Sequence, residues 1–102
     1  MKLHKLEKIL EFEWDEANIS HIAKHHVLPK EAEEVFFDKN NVQHQDIKHS
    51  TTEKRFLIVG KTKKGKLLYQ IFTLREEKIR VISSRNINKK EVTLYEKKTS
   101  SS

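Results

Sequence analysis

The stretch RFLIVGKTKKGKLLYQIFTLREEKIRVISSR, from Arg55 to Arg85, decides the fold. Three runs within it, Arg55 to Gly60, Leu67 to Leu74 and Ile79 to Ser84, are rich in β-branched and apolar residues and predict strands. Gly65 inside KTKKGK marks the first turn and REEK marks the second. Connections this short join antiparallel neighbours, so two consecutive hairpins predict a meander.

Upstream, Leu10, Phe12 and Trp14 alternate with Glu11 and Glu13, the pattern of a half-buried strand. Asp15 then stands where a helix N-cap belongs. Ile19, Ile22, Ala23 and His26 fall on one side of a helix running to about His25, with Asn18, His21 and His25 as an adjoining stripe. Pro29 opens a second helix, whose apolar face is Leu28, Ala32, Val35 and Phe36. Val42 and Ile47 fit an edge strand, followed by the loop HSTTE. Downstream of the meander, Asn86 or Asn88 caps a last helix that buries Val92 and Tyr95 or Leu94. The order is a strand, a helical hairpin, three or four antiparallel strands and a helix. This α+β architecture is expected as one domain over residues 1–96, with a disordered tail over residues 97–102.

The chain has 102 residues and no Cys, which excludes disulfides and thiolate zinc sites. No apolar run approaches the length of a membrane span and no signal-peptide pattern precedes the first strand, so a cytoplasmic protein is expected. The net charge of +6 is unevenly spread. Residues 1–53 hold 7 Lys/Arg against 11 Asp/Glu, a charge of −4, and residues 54–102 hold 14 against 4, a charge of +10. An excess this one-sided favours contact with a polyanion over lysines that merely solvate strand edges.

Two segments at opposite ends carry a resemblance. FEWDEANISHIAKHHV, Phe12 to Val27, and RVISSRNINKKEVTLYE, Arg80 to Glu96, resemble the BrnT family of ribonuclease toxins. The matching positions are Trp14, Asp15, Lys24, His25 and Val27, then Arg85, Glu91 and Tyr95. Departures are Asn18 for a common Lys, His26 for a left-handed Gly, Leu28 for a small residue and Ser84 for Ala; His21 matches a variant branch. The resemblance implies a RelE-like fold. It also implies a type II toxin: a metal-independent RNA endonuclease that blocks translation and leaves 2′,3′-cyclic phosphate ends. The implied partners are RNA and a cognate antitoxin, a ribbon-helix-helix protein resembling BrnA. Operator DNA would be reached only through that antitoxin, with no cofactor and no membrane. The competing expectation is an inactive module of the same fold that binds nucleic acid or protein.

RNA cleavage without a metal needs proton transfer and cations around the phosphorane. Histidine suits the first because its pKa lies near working pH, and arginine suits the second through its planar fork. His25, which matches the family histidine, is the candidate for proton transfer; its plainer role is a cation at a helix C-terminus. His21 and His25 form H-x-x-x-H, but no zincin glutamate or third ligand accompanies them, so a metal site is set aside. Arg55 and Arg85 are the candidates for phosphate and transition state, with an Arg85–Glu91 ion pair as the structural alternative. Arg80 and Arg85 have opposite parity and share a face only if a bulge intervenes. Lys24, Arg80, Lys64 and Lys66 are candidates for substrate binding. Trp14 and Asp15 read as an anchor and a cap.

Overall fold

Both expected hairpins form. In the computed structural model, which describes residues 10–46 and 53–101 with side chains as far as Glu96, the chain runs α1 (Glu16–Ala23), α2 (Pro29–Phe36), β1 (Val42–Gln45), β2 (Arg55–Lys61), β3 (Leu67–Arg75), β4 (Lys78–Asn86) and α3 (Lys89–Ser101). The strands make one antiparallel sheet in the order β1-β2-β3-β4, so the α+β class is as expected. Gly65 turns the first hairpin at φ 92°. Glu76 and Glu77 turn the second at φ 50° and 69°, the left-handed pair that suits a two-residue hairpin, here without glycine. Ile47 and residues 49–52 of the expected edge strand and loop lie outside the described residues, as does the extension before Leu10.

The first expected strand contracts to a bridge. Phe12 pairs in parallel with Ile79, Glu13 N–H donating to the Ile79 carbonyl at 2.8 Å and Ile79 N–H to the Glu11 carbonyl at 2.8 Å. Asp15 then caps α1, accepting from the N–H groups of Ala17 and Asn18, while Asn18 Oδ1 accepts from Asp15 N–H. Only Asn18 and Ile22 of this helix are buried, so the expected face that included Ala23 and His26 is narrower than its periodicity suggested. For His26 the reason is early closure: it adopts φ 62°, and Val27 and His26 N–H groups donate back to Ile22 and Ala23 carbonyls.

Pro29 opens α2 as expected, and Ala32, Val35 and Phe36 are buried; Leu28 instead stands at the N-cap, 64% exposed. The helix lies directly on β2, because a Cβ at Gly60 would come within 2.8 Å of Val35 Cγ1. The core joins Ile22, Val27 and these α2 residues to Ile58, Leu68, Phe72, Ile79 and Val81. Phe36 meets Phe12 and Phe72 edge-on at 5.4 and 4.9 Å between ring centres. One polar chain crosses this core: Ser84 Oγ donates to Gln70 Oε1 at 2.7 Å and Gln70 Nε2 donates to the Ala32 carbonyl at 3.1 Å. Asn88 and Glu91 exchange the two hydrogen bonds of a capping box at the start of α3. That helix then buries Tyr95, with Leu94 outward, and runs as far as Ser101 through residues expected as a tail.

A bulge in β4 sets what faces outward. Phe72 pairs with Val81 but Ile71 pairs with Ser83, leaving Ile82 as the extra residue. The extra residue cancels the parity difference between Arg80 and Arg85. Arg80 pairs with Thr73 and Arg85 with Tyr69, two odd-numbered positions of β3, so both arginines point away from the core on the same side of the sheet.

Candidate functional site

Arg55 stands opposite Thr73, and Thr73 stands opposite Arg80. Strands lie about 5 Å apart, so the two arginine stems rise about 10 Å apart with a small residue between them. Thr73 is 1% exposed and donates its hydroxyl to the Lys54 carbonyl at 2.7 Å. Arg75, two residues on, shares this face. α1 closes the side of the cleft because Asn18 Nδ2 donates to the Val81 carbonyl at 3.1 Å and to the Glu13 carbonyl at 3.0 Å. Those bonds fix the rotation of the helix, with Ile22 toward the core and Ala17 and His21 toward the arginines. The result is an open cleft of about 240 Å³ lined by His21, Arg55, Arg75, Arg80 and Glu53, walled by Ala17, Asn18 and Ile82.

Carboxylates and guanidinium groups alternate along this cleft. Arg75 donates to both Glu53 oxygens at 3.3 Å and lies 3.9 Å from Glu13. Arg80 donates to Glu13 at 3.1 Å and to the two Asp15 oxygens at 2.9 and 3.1 Å. Hydrogen bonds from Arg80 hold the Asp15 carboxyl below its ordinary range, and those from Arg75 do the same for Glu53, aided by the charges of Arg75, Arg55 and Arg80. The same Asp15 contact raises Arg80 further above its ordinary value. The site is therefore a charge-balanced cluster in which three guanidinium groups stand among three carboxylates, Glu13, Asp15 and Glu53, at the end of the sheet that α3 leaves uncovered.

Arg85 lies on this face but does not line the cleft. Its fork is bound by Glu91 at 2.8 and 2.7 Å, and its plane lies 4.2 Å over the Tyr69 ring. Glu91 is held below the usual carboxylate range first by those Arg85 hydrogen bonds. The guanidinium thus ties the cap of α3 to the sheet, while the Arg85 side chain keeps 39% exposure. His25 and Lys24 are exposed in the turn that follows α1, and neither lines the cleft. Lys66 donates to both Glu31 oxygens at 3.2 Å and to the His26 carbonyl at 3.1 Å, and so pins the helix connection to the first hairpin. Lys64 is exposed beside Gly65.

Arg55 and Arg80, then, are brought together, joined by His21, Arg75 and Glu53, which sequence reasoning did not assign to chemistry. Arg75 was hidden because REEK reads as a turn. The signal that finds it is register: two residues beyond Thr73, it returns to the face of Arg55. A larger open cleft of about 530 Å³ lies between α2 and the first hairpin, but the charges lining it are lysines mixed with Glu33, Glu34 and Asp38 and include no arginine or histidine. Among the described residues no group of three or more His, Cys, Asp or Glu side chains forms a metal-binding cluster, and no helix is long and apolar enough to cross a membrane.

Comparison with known proteins agrees with the sequence resemblance. The family model described as ribonuclease toxin, BrnT, of type II toxin-antitoxin system matches residues 14–91, which include His21, Glu53 and all the arginines named above. No curated protein matches the chain.

Proposed function

Since the chain belongs to the BrnT family of type II toxin–antitoxin ribonucleases, we propose that it is an RNA endonuclease and that the Arg55–Arg75–Arg80 cleft receives the scissile phosphate. The observation that carries this reading is the convergence of these three guanidinium groups with His21 around one opening. A phosphate entering the cleft takes over hydrogen bonds that Arg75 and Arg80 now give to Glu53 and Asp15. Each arginine can then present parallel donors to phosphate oxygens, and the charge gathered on the phosphorane is met by fixed cations. Arg85 and the exposed Lys64 lie farther along the basic half, where they extend the track for neighbouring phosphates; Lys66 contributes through the turn it holds.

The reaction in this reading uses the RNA's own 2′-hydroxyl. That oxygen attacks phosphorus, the bond to the 5′-oxygen breaks, and the products are a 2′,3′-cyclic phosphate and a 5′-hydroxyl, with no metal ion required. Cleavage of messenger RNA would block translation in the cytoplasm. A cognate antitoxin, of the ribbon-helix-helix BrnA type, would neutralise the toxin by laying acidic groups over the arginine face, and would carry the pair to operator DNA. The test is incubation of purified protein with single-stranded RNA in excess chelator, with end-group analysis of the fragments. Cleavage that leaves cyclic phosphate ends supports the reading, and Arg55→Ala lowers it together with the salt dependence of RNA binding, by about one unit of slope for a lost phosphate contact. Loss of cleavage in chelator, or 3′-hydroxyl ends, overturns the metal-free scheme.

A second reading has its own observation. Arg75 and Arg80 are already engaged by Glu13, Asp15 and Glu53, an arrangement that a static scaffold also produces. An inactive module of this fold would bind RNA or a protein partner and leave RNA intact at any concentration. Arrest of bacterial growth on expression, abolished by Arg55→Ala, separates the toxin from the module.

A further inference from the structure

We infer that His21 takes the proton from the attacking 2′-hydroxyl. This rests on the ribonuclease reading above and assigns to that site a proton acceptor that the arginines cannot provide. Arginine stays charged at any pH a protein tolerates, so a cleft of guanidinium groups positions phosphate but cannot remove a proton. Two groups lining the cleft are chemically able to do so, His21 and Glu53. Glu53 has both oxygens committed to Arg75, and its carboxyl is held below its ordinary range, which makes it a poor base. Among the described residues no hydrogen bond or ion pair engages His21, which lines the cleft beside the arginines.

The helix places this imidazole with care. Asn18 locks the turn before it to β4 through the Val81 carbonyl, and Asp15, the cap of the same helix, grips Arg80. Helix and phosphate-binding arginine therefore share one rigid connection, and His21 follows Ala17 by one turn on the wall of the cleft. His25 is one turn farther, but α1 ends at Ala23, and His25, exposed in the turn that follows, does not line the cleft. The charged groups around His21 are Arg55, Arg75, Arg80 and Glu53 from the sheet side, with Asp15 on its own helix and Glu13 just before it.

The step balances without any added reactant. The His21 imidazole accepts the 2′-hydroxyl proton as the 2′-oxygen bonds to phosphorus and the P–O5′ bond breaks. The leaving 5′-oxygen takes a proton from a solvent water, and the imidazolium returns its proton to the hydroxide so formed.

The experiment compares wild type, His21→Asn, His21→Ala and His25→Ala on single-stranded RNA across pH, with binding measured on 2′-O-methyl RNA, which cannot react. His21→Asn should lower the cleavage rate about 10²–10⁴-fold, the usual range for a lost general base, while leaving binding and the thermal midpoint near wild type. The rise of rate with pH should vanish in that variant, free imidazole should restore part of the activity of His21→Ala, and His25→Ala should cleave normally. Wild-type cleavage by His21→Asn overturns the assignment while leaving the ribonuclease reading intact. Parallel loss of binding and cleavage overturns it in favour of a phosphate contact, and transfer of the pH effect to His25→Ala overturns it in favour of His25. Failure of the wild-type protein to cleave any RNA overturns the ribonuclease reading itself, and this assignment with it.

Discussion

Asp15 binds Arg80 through two hydrogen bonds, 2.9 and 3.1 Å long, while the same carboxylate caps α1 through the N–H groups of Ala17 and Asn18. One side chain thereby starts a helix and aims an arginine across 65 residues of chain. The helix cannot rotate without disturbing the arginine cluster.

Asp15→Asn keeps a capping oxygen and removes the charge, whereas Asp15→Ala removes both. Loss of an N-cap weakens the first turn of the helix and lowers the thermal midpoint by roughly a few degrees. Asp15→Ala should show this drop in a thermal melt and Asp15→Asn a smaller one. In the ribonuclease reading Asp15→Asn should also tighten RNA binding, since a phosphate no longer competes with a carboxylate for Arg80. Unchanged or weaker binding would show that Asp15 holds Arg80 in its working position.

Arg85→Ala should lower stability clearly. Glu91 would remain as a largely covered carboxylate with Asn88 N–H as its remaining donor, and losing hydrogen bonds to a charged group costs about 1.5–3 kcal/mol. The folded-state pKa of Glu91 lies below its ordinary 4.5, so its contribution is present above that value and fades as pH falls through the lower one. The midpoint difference between wild type and Arg85→Ala should therefore shrink in acid. A constant difference would mean that stacking on Tyr69, rather than the ion pair, carries the effect.

Gly60→Ala probes the seat of α2 without touching the arginines. The added methyl would press on Val35 Cγ1 at 2.8 Å and on the Val35 carbonyl oxygen at 3.0 Å, and overpacking of this kind costs about 1–3 kcal/mol. A lower denaturation midpoint with unaltered RNA affinity is expected. An unchanged midpoint would mean that helix and strand separate freely at this contact.

Tyr95 donates to Asp38 at 2.8 Å, and burial, followed by that carboxylate, pushes its pKa from 10.0 up to about 12. A proton held more tightly in the folded state stabilises fully below pH 10 and is lost as pH rises toward 12. The wild-type midpoint should fall over that interval more than that of Tyr95→Phe. Parallel curves for the two proteins would place the alkaline loss in the lysines instead.

The sheet was legible because Arg55 to Arg85 combines period-two runs with short turns, and Pro29 and Asp15 announce their helices through local backbone chemistry. Helix burial was less legible. The periodicity that placed His26 inward assumes a helix longer than the one that ends at Ala23, and Asn18 is buried because of partners 5 and 63 residues away. The arginine face was readable only conditionally. ISS within β4 carries no mark of a bulge, yet one extra residue at Ile82 decides which side Arg85 takes. His21 was visible as half of a histidine pair, but its neighbours in the cleft come from three strands and a loop, a proximity that spacing along the chain cannot express.

The carboxamide of Gln70, spliced between Ser84 and the backbone of α2, works as a register pin for the whole arginine face. Sliding β4 by one position past β3 would strand that amide in an apolar interior, at about 1–3 kcal/mol for the orphaned group. The same slip would reverse the strand's two sides and drive Arg80 into the hydrophobic layer. A polar residue hidden from solvent thus proofreads strand pairing, and it commits the molecule to the single alignment in which its guanidinium groups look outward together.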